Sequence, residues 1–108
     1  MKVLLDESVP KRLALFFPDP FDVYTVQRMG WAGRSNGDLL RLAAGHGFGA
    51  LVTVDQGIEH QQSAGSLQVP VVIMIAVRTR LRELEPLVPR VVAVLSADPQ
   101  GQVYHVRA

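Results

Sequence analysis

The sequence predicts an α/β domain, a three-layer α/β/α sandwich around a mostly parallel sheet. Three observations carry that expectation. Short apolar runs alternate with amphipathic stretches in the order β-α-β-α-β-(α)-β-α-β. Several of the runs, above all Val71-Val72-Ile73-Met74-Ile75, are apolar throughout, as strands buried on both faces require. The chain has 108 residues, which suits one domain spanning 1–108. Right-handed crossovers are expected at each β-α-β step.

Lys2–Leu5 reads as the first buried strand. Ser8 and Pro10 open a helix, with Ser8 as its cap and Leu13, Phe16 and Phe17 as its apolar face. Pro18-Asp19-Pro20 ends it. Asp22–Val26 is β-branched and aromatic, hence a second strand. Gln27–Ser35 reads as a loop holding Gly30, Gly33, two arginines and the only tryptophan. A helix follows over Asn36–Ala44, with Leu39, Leu40 and Ala43 inward and Gly45 and Gly47 beyond it. Ala50–Val54 is the third strand, Ile58–Ser63 a short helical turn, and Val69–Val77 holds the fourth strand. From Thr79 to Leu95 the apolar residues recur at helical spacing. Pro86 and Pro89 either kink that helix or start it afresh. Asp98–Gly101 is a turn, and Gln102–Val106 is a last, less buried strand.

Composition narrows the function classes. Hydrophobic residues make up 48% and charged residues 19%, which is globular composition. With no cysteine, there is no disulfide scaffold, thiol nucleophile or thiolate zinc site. The formal net charge of +1 provides no strong field toward nucleic acid or membrane. No apolar run is long enough to span a bilayer, and the opening MKVLLDESVP turns acidic at once. A soluble, cytoplasmic protein is expected.

In an open parallel sheet, ligands gather at the carboxyl ends of the strands. The first strand runs into Asp6-Glu7 and the third into Asp55. Asp38 lies in the first turn of the intervening helix, which starts at the same rim. Carboxylates gathered on one rim repel unless a cation joins them. Oxygen ligands without cysteine suit a hard ion, Mg²⁺ or Mn²⁺. Each acid also has a structural role available. Asp6 can accept backbone hydrogen bonds at the strand end. Glu7 can favour a helix dipole. Ser35 and Asp38 have capping-box spacing. Thr53 is placed to support Asp55, and Glu59 is a candidate outer acid. Arg28 and Arg34 flank Trp31, a pattern suited to single-stranded nucleic acid, although Trp31 serves equally as a loop anchor. Arg78, Arg80 and Arg82 form either a solvated basic edge or a phosphate-tracking patch. The three histidines follow no zinc spacing, and no nucleotide-binding glycine motif is present.

LLDESVP, WAGRSNGDLL, LVTVDQG and the QQ that precedes PVVIM, in that order, resemble the small PIN-like proteins of bacteria. The resemblance covers nearly the whole chain. It implies an α/β/α sandwich with Mg²⁺- or Mn²⁺-dependent ribonuclease activity. Asp6, Asp38 and Asp55 then match the catalytic, metal-holding acids, with Glu7 beside them. Glu59 is the candidate for a fourth acid. It further implies the toxin half of a toxin–antitoxin pair, a small DNA-binding antitoxin as partner, and a homodimer. On that expectation Arg28, Trp31, Arg34 and Arg80 would orient RNA, with Thr53 and Ser35 in support. A second reading keeps the fold as a module that binds RNA or protein without cutting. A third, a phosphoacceptor receiver domain, shares the acid placement. It lacks a lysine after the last strand, since the only lysines are Lys2 and Lys11.

Overall fold

The computed structural model describes residues 1–61 and 67–108. Five parallel strands form one sheet in the order β2-β1-β3-β4-β5. They are β1 (Lys2–Leu5), β2 (Asp22–Thr25), β3 (Ala50–Thr53), β4 (Val71–Ile75) and β5 (Val103–Arg107). The helices are α1 (Val26–Met29), α2 (Asn36–Gly45), α3 (Ile58–Gln61), α4 (Leu81–Leu84) and α5 (Val88–Ser96). A 3-10 helix, Lys11–Phe16, connects β1 to β2, and a 3-10 turn, Glu85–Leu87, joins α4 to α5.

Side chains that alternate along the strands feed two hydrophobic layers. Val3, Leu5, Val52, Val72 and Met74 meet Leu13 and the helical residues Leu84, Val88, Val91 and Leu95 on one face. Leu4, Leu51, Val71 and Ile73 meet Val26, Leu39, Leu40, Ala43 and Ile58 on the other. Burying each of these leucines or isoleucines contributes roughly 1.5–3 kcal/mol. The central strands therefore had to be apolar on both sides, and their unbroken apolar runs follow from that.

The expected right-handedness does not hold for every crossover. The β2→β3 and β4→β5 connections step across the sheet in the same direction. The first passes over the face of α1 and α2, and the second over the opposite face with α4 and α5. Two such steps have opposite hands, so one departs from the usual rule. The physical reason lies in coverage. Without α4 and α5, the first face would carry only the six-residue 3-10 helix. The stripe of Leu84, Val88, Val91 and Leu95 closes that face.

Local corrections are of the same kind. The first helix is 3-10, starts at Lys11, and is not capped by Ser8. Phe16 is 40% exposed, so its inner face is Leu13 with Ala14 and Phe17. Val26 leaves the strand and starts α1, inside the segment expected to be loop. The Thr25 hydroxyl caps that turn by accepting the Arg28 N–H (3.1 Å), and Gly30 ends it at φ 76°. Gly45 falls within α2, and Gly47, at φ 78°, follows it. The helix with two prolines restarts, as one of its alternatives had it, through the 3-10 turn at Pro86. Of the short turn expected at Ile58–Ser63, α3 accounts for Ile58–Gln61, while Gln62 and Ser63 lie outside the described residues.

Candidate functional site

The chain leaves β1 toward one face and β3 toward the other, so a crevice opens between their carboxyl ends, the switch point of a doubly wound sheet. Parallel register sets Leu5 beside Val52. The Asp6 N–H donates to the Val52 carbonyl (2.9 Å), extending the ladder by one residue. Asp6 is thereby fixed on the floor of the crevice and is only 6% exposed.

Two hydroxyls hold its carboxylate. Ser8 Oγ donates to Asp6 Oδ2 at 2.7 Å and Thr53 Oγ1 at 2.9 Å. Thr53, buried at the end of β3, also accepts the Asp55 N–H (3.0 Å). A hydroxyl has one proton, so Thr53 gives that proton to Asp6 and a lone pair to the Asp55 backbone. Ser8 and Thr53 lie 3.3 Å apart with both protons already directed at Asp6. Among the described residues no donor reaches Asp6 Oδ1. Asp55 Oδ1 accepts the Gly57 N–H (2.8 Å), and Asn36 Nδ2 makes a long contact to Oδ2 (3.4 Å).

Asp6, Glu7 and Asp55 line one side of a cleft of about 440 Å³. Arg34, Ser35 and Asn36 line the other. Glu7 is exposed, and its Oε1 accepts the Gly33 N–H (2.9 Å), tying the loop before α2 to the rim. Gly33 has φ 84°, which glycine adopts without strain. This tie holds the neighbouring Arg34 over the cleft. Arg34 forms no ion pair among the described residues.

The other expected site residues lie elsewhere. The Asp38 N–H donates to Ser35 Oγ (3.2 Å), so Ser35 caps α2, and the Asp38 carboxylate pairs with Arg41 outside the cleft lining. Trp31 is 8% exposed and packs edge-on against His46 and Phe48, with centroids 4.9 and 6.0 Å away. Of its two roles, the loop anchor is the one observed. Arg28 lies over the Tyr24 ring, 4.7 Å from its centroid. Arg80 and Arg82 share Glu83 at 2.8 and 2.9 Å. The Arg80 hydrogen bond, with Arg82 adding to it, holds the Glu83 carboxyl below its ordinary value against the opposing effect of desolvation. Glu59 pairs with His105 on β5 (2.9 Å), away from the cleft lining.

Among the described residues, no three His, Asp or Glu side chains gather closely enough to hold a metal ion. By donor chemistry, the carboxylates of Asp6 and Asp55 are ligands of the type that a hard ion takes. Mg²⁺ commonly binds one or two carboxylates and completes its octahedron with waters and substrate phosphate. The two acids suit that shared shell and not a closed protein cage.

Sequence reasoning missed three parts of the site. Ser8 serves Asp6 and caps no helix; its spacing, two residues after the acid, is the available signal. Asn36 reaches Asp55 from the first turn of α2, a contact that depends on topology. The Glu7–Gly33 tie spans 26 residues and has no local signature. Comparison with protein-family models, with curated proteins and with solved structures finds no match.

Proposed function

We propose that this chain is a Mg²⁺- or Mn²⁺-dependent phosphodiester hydrolase acting on single-stranded RNA. The carrying observation is the coupling of Asp6 and Asp55 across neighbouring strands through Thr53, at the mouth of one cleft that also holds Arg34. Asp6 and Asp55 would hold the ion. When bound, it would supply an activated water and neutralise charge on the phosphoryl group. Ser8 and Thr53 fix the Asp6 carboxylate through Oδ2 and leave Oδ1 without a donor among the described residues. Arg34, free of carboxylate partners among the described residues, meets a phosphate oxygen and orients the backbone. RNA as substrate class rests on the resemblance to PIN-like proteins. So does the further proposal of a toxin role, paired with a small DNA-binding antitoxin. Asp38 and Glu7 have other partners in this arrangement and are left out of the ion's shell.

A second reading, a binding module without cleavage, draws on the Asp38–Arg41 pair, which leaves two acids where three were expected. One experiment separates the two. Mg²⁺ and Mn²⁺ are titrated against wild type, Asp6→Asn and Asp55→Asn, with cleavage of a labelled single-stranded RNA followed beside metal binding. Metal-dependent cleavage lost in both variants supports the hydrolase. RNA binding that is indifferent to metal and unaffected by Asp6→Asn overturns it in favour of the module.

A further inference from the structure

Away from the cleft, β5 forms one edge of the sheet, since it pairs only with β4. The Gln102 carbonyl accepts the Val71 N–H (3.0 Å). In a parallel ladder, alternate residues face the neighbour, so Gln102, Tyr104 and Val106 point their backbone groups at β4. Val103, His105 and Arg107 point theirs outward, where they meet no partner among the described strands. This is an open template for another strand.

Two clefts flank that edge on the face covered by α4 and α5. One, of about 270 Å³, lies between α5 and β5 and is lined by Ala93, Val94 and Val106 with Arg90 and Arg107. The other, of about 480 Å³, is lined by Val77, Pro86 and Leu87 with Arg82, and Arg107 joins the two. Val77 is fully exposed at its mouth. The two clefts are thus apolar inside and cationic at the margin. Glu83 is the single acidic side chain lining either, and Arg80 and Arg82 already share it. Arg90 and Arg107 are exposed and have no ion-pair partner among the described residues.

We propose that the β5 edge docks an extended acidic segment of a partner protein, which adds as a sixth strand. The outward N–H and C=O groups of Val103, His105 and Arg107 give the backbone ladder. Side chains of the added strand on the α4/α5 face enter the two clefts, so they are apolar, and acidic residues at the ends of that same face meet Arg90 and Arg107 at the cleft margins. Unpaired arginines select the sign of the partner. A basic or neutral strand of the same shape leaves them unmatched. The proposal is independent of the metal chemistry, because none of these residues lines the catalytic cleft.

The test uses a labelled synthetic peptide of about eight residues, the length of an ordinary strand, whose one face reads Glu-Val-Val-Glu and whose other face is Thr (the Val-Glu peptide), beside a counterpart with Lys for Glu (the Val-Lys peptide). Binding is read by fluorescence anisotropy and by amide hydrogen exchange. The Val-Glu peptide is expected to bind and to protect the amides of Val103, His105 and Arg107, leaving Tyr104 and Val106 as they were. The exposed double variant Arg90→Ala/Arg107→Ala should weaken binding roughly five- to tenfold at low salt. The reversal Arg90→Glu/Arg107→Glu should shift preference to the Val-Lys peptide, and circular dichroism confirms that both variants fold. Equal binding of the two peptides by wild type overturns the proposal. So does protection of the outward amides without peptide in a dimer seen by sedimentation, which makes a second copy the occupant. A single-stranded oligonucleotide that binds through Arg90 and Arg107 while the Val-Glu peptide does not would assign the edge to nucleic acid instead.

Discussion

Replacing Thr53 with valine removes one buried oxygen from beneath the Asp6–Asp55 cleft and keeps the side chain's shape. Thr53 is 1% exposed, so the loss falls where water cannot repair it. Its hydroxyl makes two bonds, to Asp6 Oδ2 (2.9 Å) and from the Asp55 N–H (3.0 Å). A hydrogen bond to a charged group contributes about 1.5–3 kcal/mol, and an amide left unpaired costs about 1 kcal/mol or more. The methyl that replaces the hydroxyl returns at most about 1 kcal/mol. The net loss is then about 1.5–3 kcal/mol, a fall in Tm of roughly 6–24 °C for a domain of this size. Urea unfolding of wild type, Thr53→Val and Thr53→Ser measures it. Thr53→Ser retains both bonds and loses only a buried methyl, so it should lie about 1 kcal/mol below wild type. A cycle with Asp6→Asn should show coupling above about 0.5 kcal/mol, as expected of groups in one network. If Thr53→Val unfolds within about 0.5 kcal/mol of wild type, or Thr53→Ser falls as far as Thr53→Val, the hydroxyl bridge is not what holds the two acids.

Three other outcomes are expected. Gly101→Ala should destabilise by about 1–3 kcal/mol in urea unfolding, because a Cβ there runs into the Leu67 carbonyl, a backbone group with little freedom to yield; an unchanged midpoint contradicts this packing. Glu83 is held below its ordinary value of 4.5 by Arg80 first and Arg82 second, so the stability it contributes is present above 4.5 and is lost as pH falls through the lowered value. Wild type should therefore exceed Glu83→Gln in Tm at neutral pH, with the gap closing over that acid window; a gap that persists below it refutes the ion-pair origin. Asp38→Asn should alter Mn²⁺ affinity far less than Asp6→Asn, since its carboxylate faces Arg41; equal losses by calorimetry would return Asp38 to the ion's shell.

The parts of the structure that sequence made legible are those where one force dominates. The all-apolar Val71–Ile75 run has one stable placement, between two helical layers, and it occupies it. α2 was readable at its start, where Ser35 supplies a cap, and to within one residue at its end, where Gly45 still belongs to the helix and Gly47 follows it. Asp6 and Asp55 were readable as neighbours because both follow buried strands directly. Illegible features depended on distant partners. Ser8 has the chemistry of a cap, and only the depth of Asp6 and Thr53 recruits it instead. Trp31 sits between two arginines in sequence, yet the hydrophobic layer under α2 offers its ring a burial that solvent cannot match. Asp38 has two local attractions, a cap behind and Arg41 one turn ahead, and these outweigh carboxylates across the rim. The hand of the last crossover depended on how little of one face a six-residue 3-10 helix could cover.

That last crossover also bears on where chemistry can occur. Chain exits that diverge to opposite faces leave the strand ends between them uncovered. The exits of β1 and β3 diverge, and so do those of β3 and β4, because the step after β4 returns to the first face. The end of β3 therefore has a switch point on each side, and Asp55 lines the cleft on the β1 side. Charge distinguishes the two. On the β1 side Asp6 stands opposite, with no donor at Oδ1 among the described residues, and Thr53 bridges the pair. On the β4 side the strand runs into Ala76 and Val77, which carry no ligand atom beyond the backbone. Glu59 also lies on that side, but it pairs with His105 on β5, so on the proposed reading an ion at Asp55 would share Asp6 across the cleft. The same turn of the chain that leaves Val77 bare at the protein's edge thus leaves the β1 side as the place where the proposed ion would be held.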